Sequence, residues 1–130
     1  MSHHRETVTA VGAPAAVGPY SHAVKSNGLL FCSGQIPLDP ESGELVGESA
    51  AEQAVKCLEN LQAVAAAGGA TLADAVRCTV YLLEMGDFAE VNAAYEEFFP
   101  SEPPARVAFG VAALPKNARV EIDAVIALPD

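Results

Sequence analysis

Seventeen acidic against seven basic side chains leave this 130-residue chain with a net charge of −10. An acidic surface repels phosphate backbones and the lysines and arginines are scattered, so a nucleic-acid partner is disfavoured. Apolar residues make up 51% of the sequence, enough for a globular core, and the length fits one domain over residues 1–130. No apolar run reaches membrane-spanning length and no signal peptide opens the chain, so no membrane partner is expected. Cys32, Cys57 and Cys78 are odd in number, lack metal-ligand spacing and lie inside apolar patterns. They read as reduced, buried thiols in a cytoplasmic protein. His3-His4 reads as a solvated tail rather than a metal site.

In chain order, a short alternation around Thr7–Val11 suggests an edge strand, and Pro14 and Gly18-Pro19 break the chain after it. Tyr20–Lys25 suggests a second short strand and Gly28–Ile36 a longer one. Residues 37–47 are turn-rich, with Asp39-Pro40 and Ser42-Gly43. Ser49 with Glu52 has the spacing of a capping box. Ala51, Ala54, Val55, Leu58, Leu61, Val64 and Ala65 then recur at helical spacing, with Lys56, Glu59 and Asn60 opposite, and Gly68-Gly69 closes the helix.

The run from Val76 to Leu83 alternates as a strand, and its second face still carries Tyr81 and Leu83. One helical layer cannot cover both faces, so the second is expected to pack on another subunit. Asp87 with Glu90 repeats the capping spacing before a second helix that ends at Pro100. The run from Pro103 to Leu128 reads as two strands, one over Val107, Phe109 and Val111, the other over Val120–Leu128. Pro115-Lys116-Asn117 joins them as a hairpin turn. The order predicts an α+β fold, a mixed sheet with both helices on one face.

Familiar catalytic constellations are absent. There is no glycine-rich phosphate loop, no zinc spacing, and His22 is the sole histidine outside the tail. Chemistry is left to Arg106, Glu121, hydroxyls, amides and water. Arg106 and Glu121 each place a charge in an apolar strand alternation. On neighbouring strands they fit two readings: binding an anion and handling a proton or water, or pairing as a surface salt bridge.

Four segments carry a resemblance: Gly18-Pro19-Tyr20-Ser21-His22-Ala23, Ser33-Gly34-Gln35-Ile36-Pro37, Pro104-Ala105-Arg106 and Val120-Glu121-Ile122. Asn92 in Val-Asn-Ala-Ala-Tyr and Ala113-Leu114-Pro115 extend it. In order and spacing, the chain closely resembles the Rid family of enamine/imine deaminases, the RidA or YjgF proteins. The resemblance implies a chorismate-mutase-like fold assembling into a homotrimer, with a central barrel and clefts between subunits. It implies hydrolysis of reactive 2-imino or 2-enamino acids to 2-keto acids and ammonia, with no cofactor and no metal.

Carried onto these residues, the resemblance implies that Arg106 grips the substrate carboxylate with its planar fork, which lysine does not offer. Glu121 orients or deprotonates the attacking water, its pKa held low by Arg106. Tyr20 donates a hydrogen bond or walls the cleft, and Ser33 positions substrate or water. Gly34, Asn92 and the backbone near Ala108 belong to the binding set. Some relatives carry cysteine where this chain has Ala108, so a thiol nucleophile is excluded there. His22 stands where glutamine is frequent.

Structural readings stand beside these. Tyr20 fits a turn aromatic plugging the core, Ser33-Gly34 a strand bulge, and Asn92 a side chain turned inward to cap a loop. Glu121 fits a surface charge ladder with Arg119 and Asp123. Phe88, Tyr95, Phe98 and Phe99 read as core. The functional alternative to the deaminase is a non-catalytic trimer that binds a small carboxylate such as a 2-keto acid. A ribonuclease is a third class, opposed by the charge.

Overall fold

The computed structural model describes residues 4–130; His3 lies outside the described residues, and His4 is exposed. Strand β1 (Glu6–Val8) sits at one edge of a six-stranded sheet and pairs antiparallel with β2 (Ala23–Ser26). β2 and β3 (Leu29–Gln35) form a hairpin through Asn27-Gly28, both at positive φ. Asn-Gly favours this turn because both central residues of a type I′ turn need φ above zero.

Helix α1 (Ala50–Ala67) begins with the expected capping box: Ser49 Oγ accepts from the Glu52 amide, and the Glu52 carboxylate accepts from the Ser49 amide, both at 3.1 Å. Gly68 closes the helix with ordinary right-handed angles, and Gly69, at φ 81°, makes the left-handed exit. A Cβ on Gly68 would stand 2.7 Å from Leu30 Cδ2, so the glycine also lets the helix end settle on β3. Asn60 departs from the expected polar face. It is buried and its Nδ2 donates to the carbonyls of Ile36 and Leu38 at 3.3 and 3.0 Å. Gln53, also buried, donates to Gly47 O and accepts from the Arg119 amide. Buried amides are costly unless paired, and here they pin the turn-rich 37–47 segment to the helix.

Strand β4 (Ala75–Leu82) leads through helix α2 (Phe88–Phe98) to β5 (Ala105–Gly110), which lies parallel to β4 at the far edge. Asp87 makes no side-chain cap at α2. Glu90 instead reaches across and accepts from the Ala51 amide at 3.0 Å, so its carboxylate serves the start of α1.

The final strand β6 (Val120–Ala127) corrects the expected closing hairpin. It does not pair with β5 but lies between β3 and β4, antiparallel to both, giving the order β1-β2-β3-β6-β4-β5. Its burial alternates because one face meets the helices and the other does not. Leu30, Val80, Leu82, Val120, Ile122 and Ile126 are buried beneath the helices. The opposite face is bare and shows Phe31, Val107 and Phe109 to solvent, as expected of a sheet with helices on one side only. Among the described residues, no helix is long and apolar enough to cross a membrane.

Candidate functional site

The strand register decides how the two charged candidates relate. Arg106 stands opposite Cys78, which stands opposite Ala124. Glu121 stands opposite Tyr81, which stands opposite Phe109. Cys78 and Ala124 are buried toward the helices. Glu121 is an odd number of residues from Ala124, so it points to the bare face, whereas Arg106 shares the helix side. Two strand spacings and three residues separate them, roughly 10 Å across and roughly 10 Å along the sheet. The two are therefore neither on neighbouring strands nor an ion pair, and the expected lowering of the Glu121 pKa by Arg106 does not occur. Burial instead pushes the Glu121 carboxyl above its ordinary value, and Asp123, two residues along the same face, adds to the shift.

Glu121 lies in a cleft of about 330 Å³ lined by Val17, Tyr20, Ser33, Gly34, Ile36 and Pro115. β3 bulges here: Cys32 pairs with Ala124 but Gln35 with Ile122, so one extra residue is accommodated at Ser33-Gly34. The bulge reading and the site reading of these residues thus coincide. A Cβ at position 34 would fall on the Glu121 carboxylate, with its Cδ only 3.1 Å away, so glycine is what admits the carboxylate. Ser33 Oγ donates to Ser21 O at 2.6 Å. Its hydroxyl proton is committed, and toward the cleft it offers an acceptor.

Tyr20 reaches the cleft from the segment before β2. It is partly exposed rather than a core plug, and its hydroxyl accepts from the Val17 amide at 3.4 Å. This segment is fastened by buried His22, whose Nδ1 accepts from the Ala10 amide at 2.9 Å and whose Nε2 donates to Pro14 O at 2.7 Å. An amide can only donate, which fixes the ring proton on Nε2.

Arg106 belongs to a second hollow, about 600 Å³, lined by Asn92, Tyr95, Glu96, Phe99, Pro103 and Pro104 among others. Its Nη1 donates to Asn92 Oδ1 at 2.8 Å, and its guanidinium carbon lies 4.9 Å from the Tyr95 ring centre and 5.6 Å from that of Phe88. Asn92 therefore turns to Arg106 rather than to a loop. Ala108 lies two residues on, on the same face, against the core. Tyr95 and Phe88 read as core alone in the sequence, because helical spacing records burial and not what the ring's free face meets.

The three cysteines are free and buried. Burial pushes the Cys32 thiol up to about 12 and raises Cys57 and Cys78 as well, so the reactive thiolate is disfavoured. Among the described residues, no three His, Cys, Asp or Glu side chains gather as a metal site.

One chain thus presents a cation hollow on one side and a carboxylate cleft on the other. A family model described as endoribonuclease L-PSP matches residues 11–128. The chain belongs to this family, also known as YjgF/Rid. Within the Rid family, the chain is 52% identical to a RutC family protein, y4sK, of Sinorhizobium fredii, over 95% of this chain and 98% of that one. It is 44% identical to the 2-iminobutanoate/2-iminopropanoate deaminase of Homo sapiens, over 93% and 88% of the two chains. Among solved Rid structures, TdcF of E. coli with bound serine superposes with a TM-score of 0.89 at 34% identity, covering 95% of this chain and 99% of that one.

Proposed function

We propose that this protein hydrolyses 2-imino and 2-enamino acids to 2-keto acids and ammonia, and that it does so between copies of itself. The observation that carries the reading is the separation of Arg106 and Glu121 onto opposite faces of one sheet, each in its own open hollow. A substrate small enough to need both cannot meet them on one chain. The bare face with Phe31, Val107 and Phe109 supplies the apolar surface for a second copy. A ring of three would join the Arg106 hollow of one copy to the Glu121 cleft of the next. Deaminases among the relatives support the chemistry, and serine bound to TdcF supports a site for a small amino-acid-like carboxylate.

In that composite site the Arg106 fork takes the substrate carboxylate through two parallel hydrogen bonds. The imine carbon faces Glu121. Glu121 takes a proton from water as the oxygen bonds to carbon, and the C=N electron pair moves to nitrogen. Glu121 returns that proton to nitrogen, giving the neutral carbinolamine; it then takes the hydroxyl proton and passes it to nitrogen as the C–O bond becomes a carbonyl and the C–N bond breaks, so ammonia leaves and the 2-keto acid remains. Ser33 accepts a hydrogen bond from the N–H or water, and Tyr20 closes the side of the cleft. Positioning and charge placement carry most of the acceleration, because imines are reactive without help.

The test is to trap the imine made in situ by an amino-acid oxidase with semicarbazide present. The wild-type protein is expected to suppress semicarbazone formation, and Arg106→Ala to leave it at the protein-free level while remaining folded and assembled. Unchanged trapping with wild type across small and branched imino acids overturns the deaminase reading in favour of a carboxylate-binding trimer.

A further inference from the structure

Arg106 makes no ion pair among the described residues, although seventeen acidic side chains occur in the chain and Glu96 lines the same hollow. Everything that holds it is uncharged. The Asn92 amide oxygen takes one of its five N–H donors, and the rings of Tyr95 and Phe88 stand against its guanidinium carbon at 4.9 and 5.6 Å. Tyr95 is the nearer ring. It is 5% exposed and braced by Phe99 at 4.7 Å between ring centres. Its hydroxyl is buried and turned toward the Cys78 thiol, a weak partner. A phenylalanine would fill the same space at little cost, so what the position offers Arg106 is the aromatic face. An aromatic quadrupole attracts a cation without neutralising it, whereas a carboxylate would occupy the fork and cancel its charge.

We infer that Tyr95, with Asn92, is a positioning residue. The pair forms a neutral cradle that fixes the plane of Arg106 while leaving its charge and its free N–H edge for a two-oxygen anion. The inference rests on the reading of Arg106 as a carboxylate clamp and adds the residues on which that clamp depends.

Binding of 2-oxobutanoate by calorimetry, with imine kinetics alongside, tests it. Tyr95→Phe is expected to bind within about twofold of wild type, since the ring is kept. Tyr95→Leu is expected to weaken binding about tenfold and raise KM with little change in kcat. Asn92→Asp keeps the shape but adds a carboxylate against the fork, and is expected to weaken binding at least as much while folding normally. Unchanged affinity in both Tyr95→Leu and Asn92→Asp overturns the inference.

The Arg106 side-chain N–H signals in NMR give a readout that needs no substrate. Their ring-current shift is expected to survive in Tyr95→Phe and to shrink in Tyr95→Leu to the part that the more distant Phe88 ring supplies. A shift of unchanged size in Tyr95→Leu overturns the cradle. A wild-type protein that neither binds 2-oxobutanoate nor hydrolyses imines, yet shows the shift, overturns the deaminase reading and leaves the cradle standing.

Discussion

Glu121 shows how one side chain takes its properties from a glycine on another strand. Because Gly34 has no Cβ, the carboxylate lies close against β3, half-buried and beside Asp123. Both circumstances favour its neutral form. A carboxyl whose proton is held more tightly in the fold than in the unfolded chain stabilises the fold while protonated, and that contribution is lost as pH rises through its folded pKa. Glu121→Gln is therefore expected to match wild type in Tm well below the ordinary value of 4.5 and to gain over it at higher pH. Turnover should fall by about 10²-fold or more at neutral pH, the scale of general acid–base catalysis. The acid limb of the wild-type rate profile should lie above 4.5. Thermal melts across pH 3–8, paired with kinetics, check both. In the sequence, Arg106 and Glu121 stand out because each interrupts an apolar alternation, and Ser33-Gly34 because a glycine in a strand marks a bulge or a close approach. The sign of the Glu121 shift is not legible there. It depends first on how far the fold buries the carboxyl and then on which charge lies nearby, and the register puts Asp123 there, not Arg106.

The elements that carry these residues differ in how they are held. β3 and β6 are central, while the segment from Ala10 to Val17 is not a strand and relies on His22 to keep its course toward the cleft. His22→Ala removes both bonds and leaves the Ala10 amide and Pro14 carbonyl without partners, at a cost of about 1–3 kcal/mol for buried groups. It is expected to lower Tm and to speed hydrogen exchange at Ala10, leaving exchange of the β6 amides close to that of wild type. An effect spread evenly over all strands would mean the ring is ordinary core filler. The strands themselves are legible from alternation, and α1 from its capping box and 3.6-residue period. The partner of each strand is not. Alternation reports which face is buried and is silent about which neighbour shares the hydrogen bonds, so β5 and β6 read as a hairpin although β4 lies between them. Asn60 misleads for a related reason, because a polar residue at helical spacing looks solvent-facing until a loop supplies the carbonyls it meets.

For the whole molecule, a site shared between copies makes an expectation that a site within one chain does not. Arg106→Ala and Glu121→Gln chains should each be inactive alone. Refolded together from an equal mixture, they should regain about a quarter of wild-type activity, because in a three-membered ring each mixed assembly rebuilds one intact junction of three. Activity assays on the mixture check this, and no recovery despite verified subunit mixing would mean that both residues serve the same chain. The charge of −10 belongs to this scale too. The family description names an endoribonuclease, yet the seven lysines and arginines are scattered along the sequence and outnumbered by seventeen acidic residues. RNA binding that weakens steeply with salt is not expected.

The place of β6 bears on how the molecule is made. It is the last strand along the sequence and an inner one in space, and β3 and β4 have no pairing except through it. A nascent chain leaving the ribosome can zip β1 and β3 onto β2, and can lay β5 beside β4. Those two pieces stay unjoined, with their inner edges open, until residues 120–127 emerge and slot between them. The sheet therefore closes only once β6 is in place, and the strand that closes it delivers Glu121.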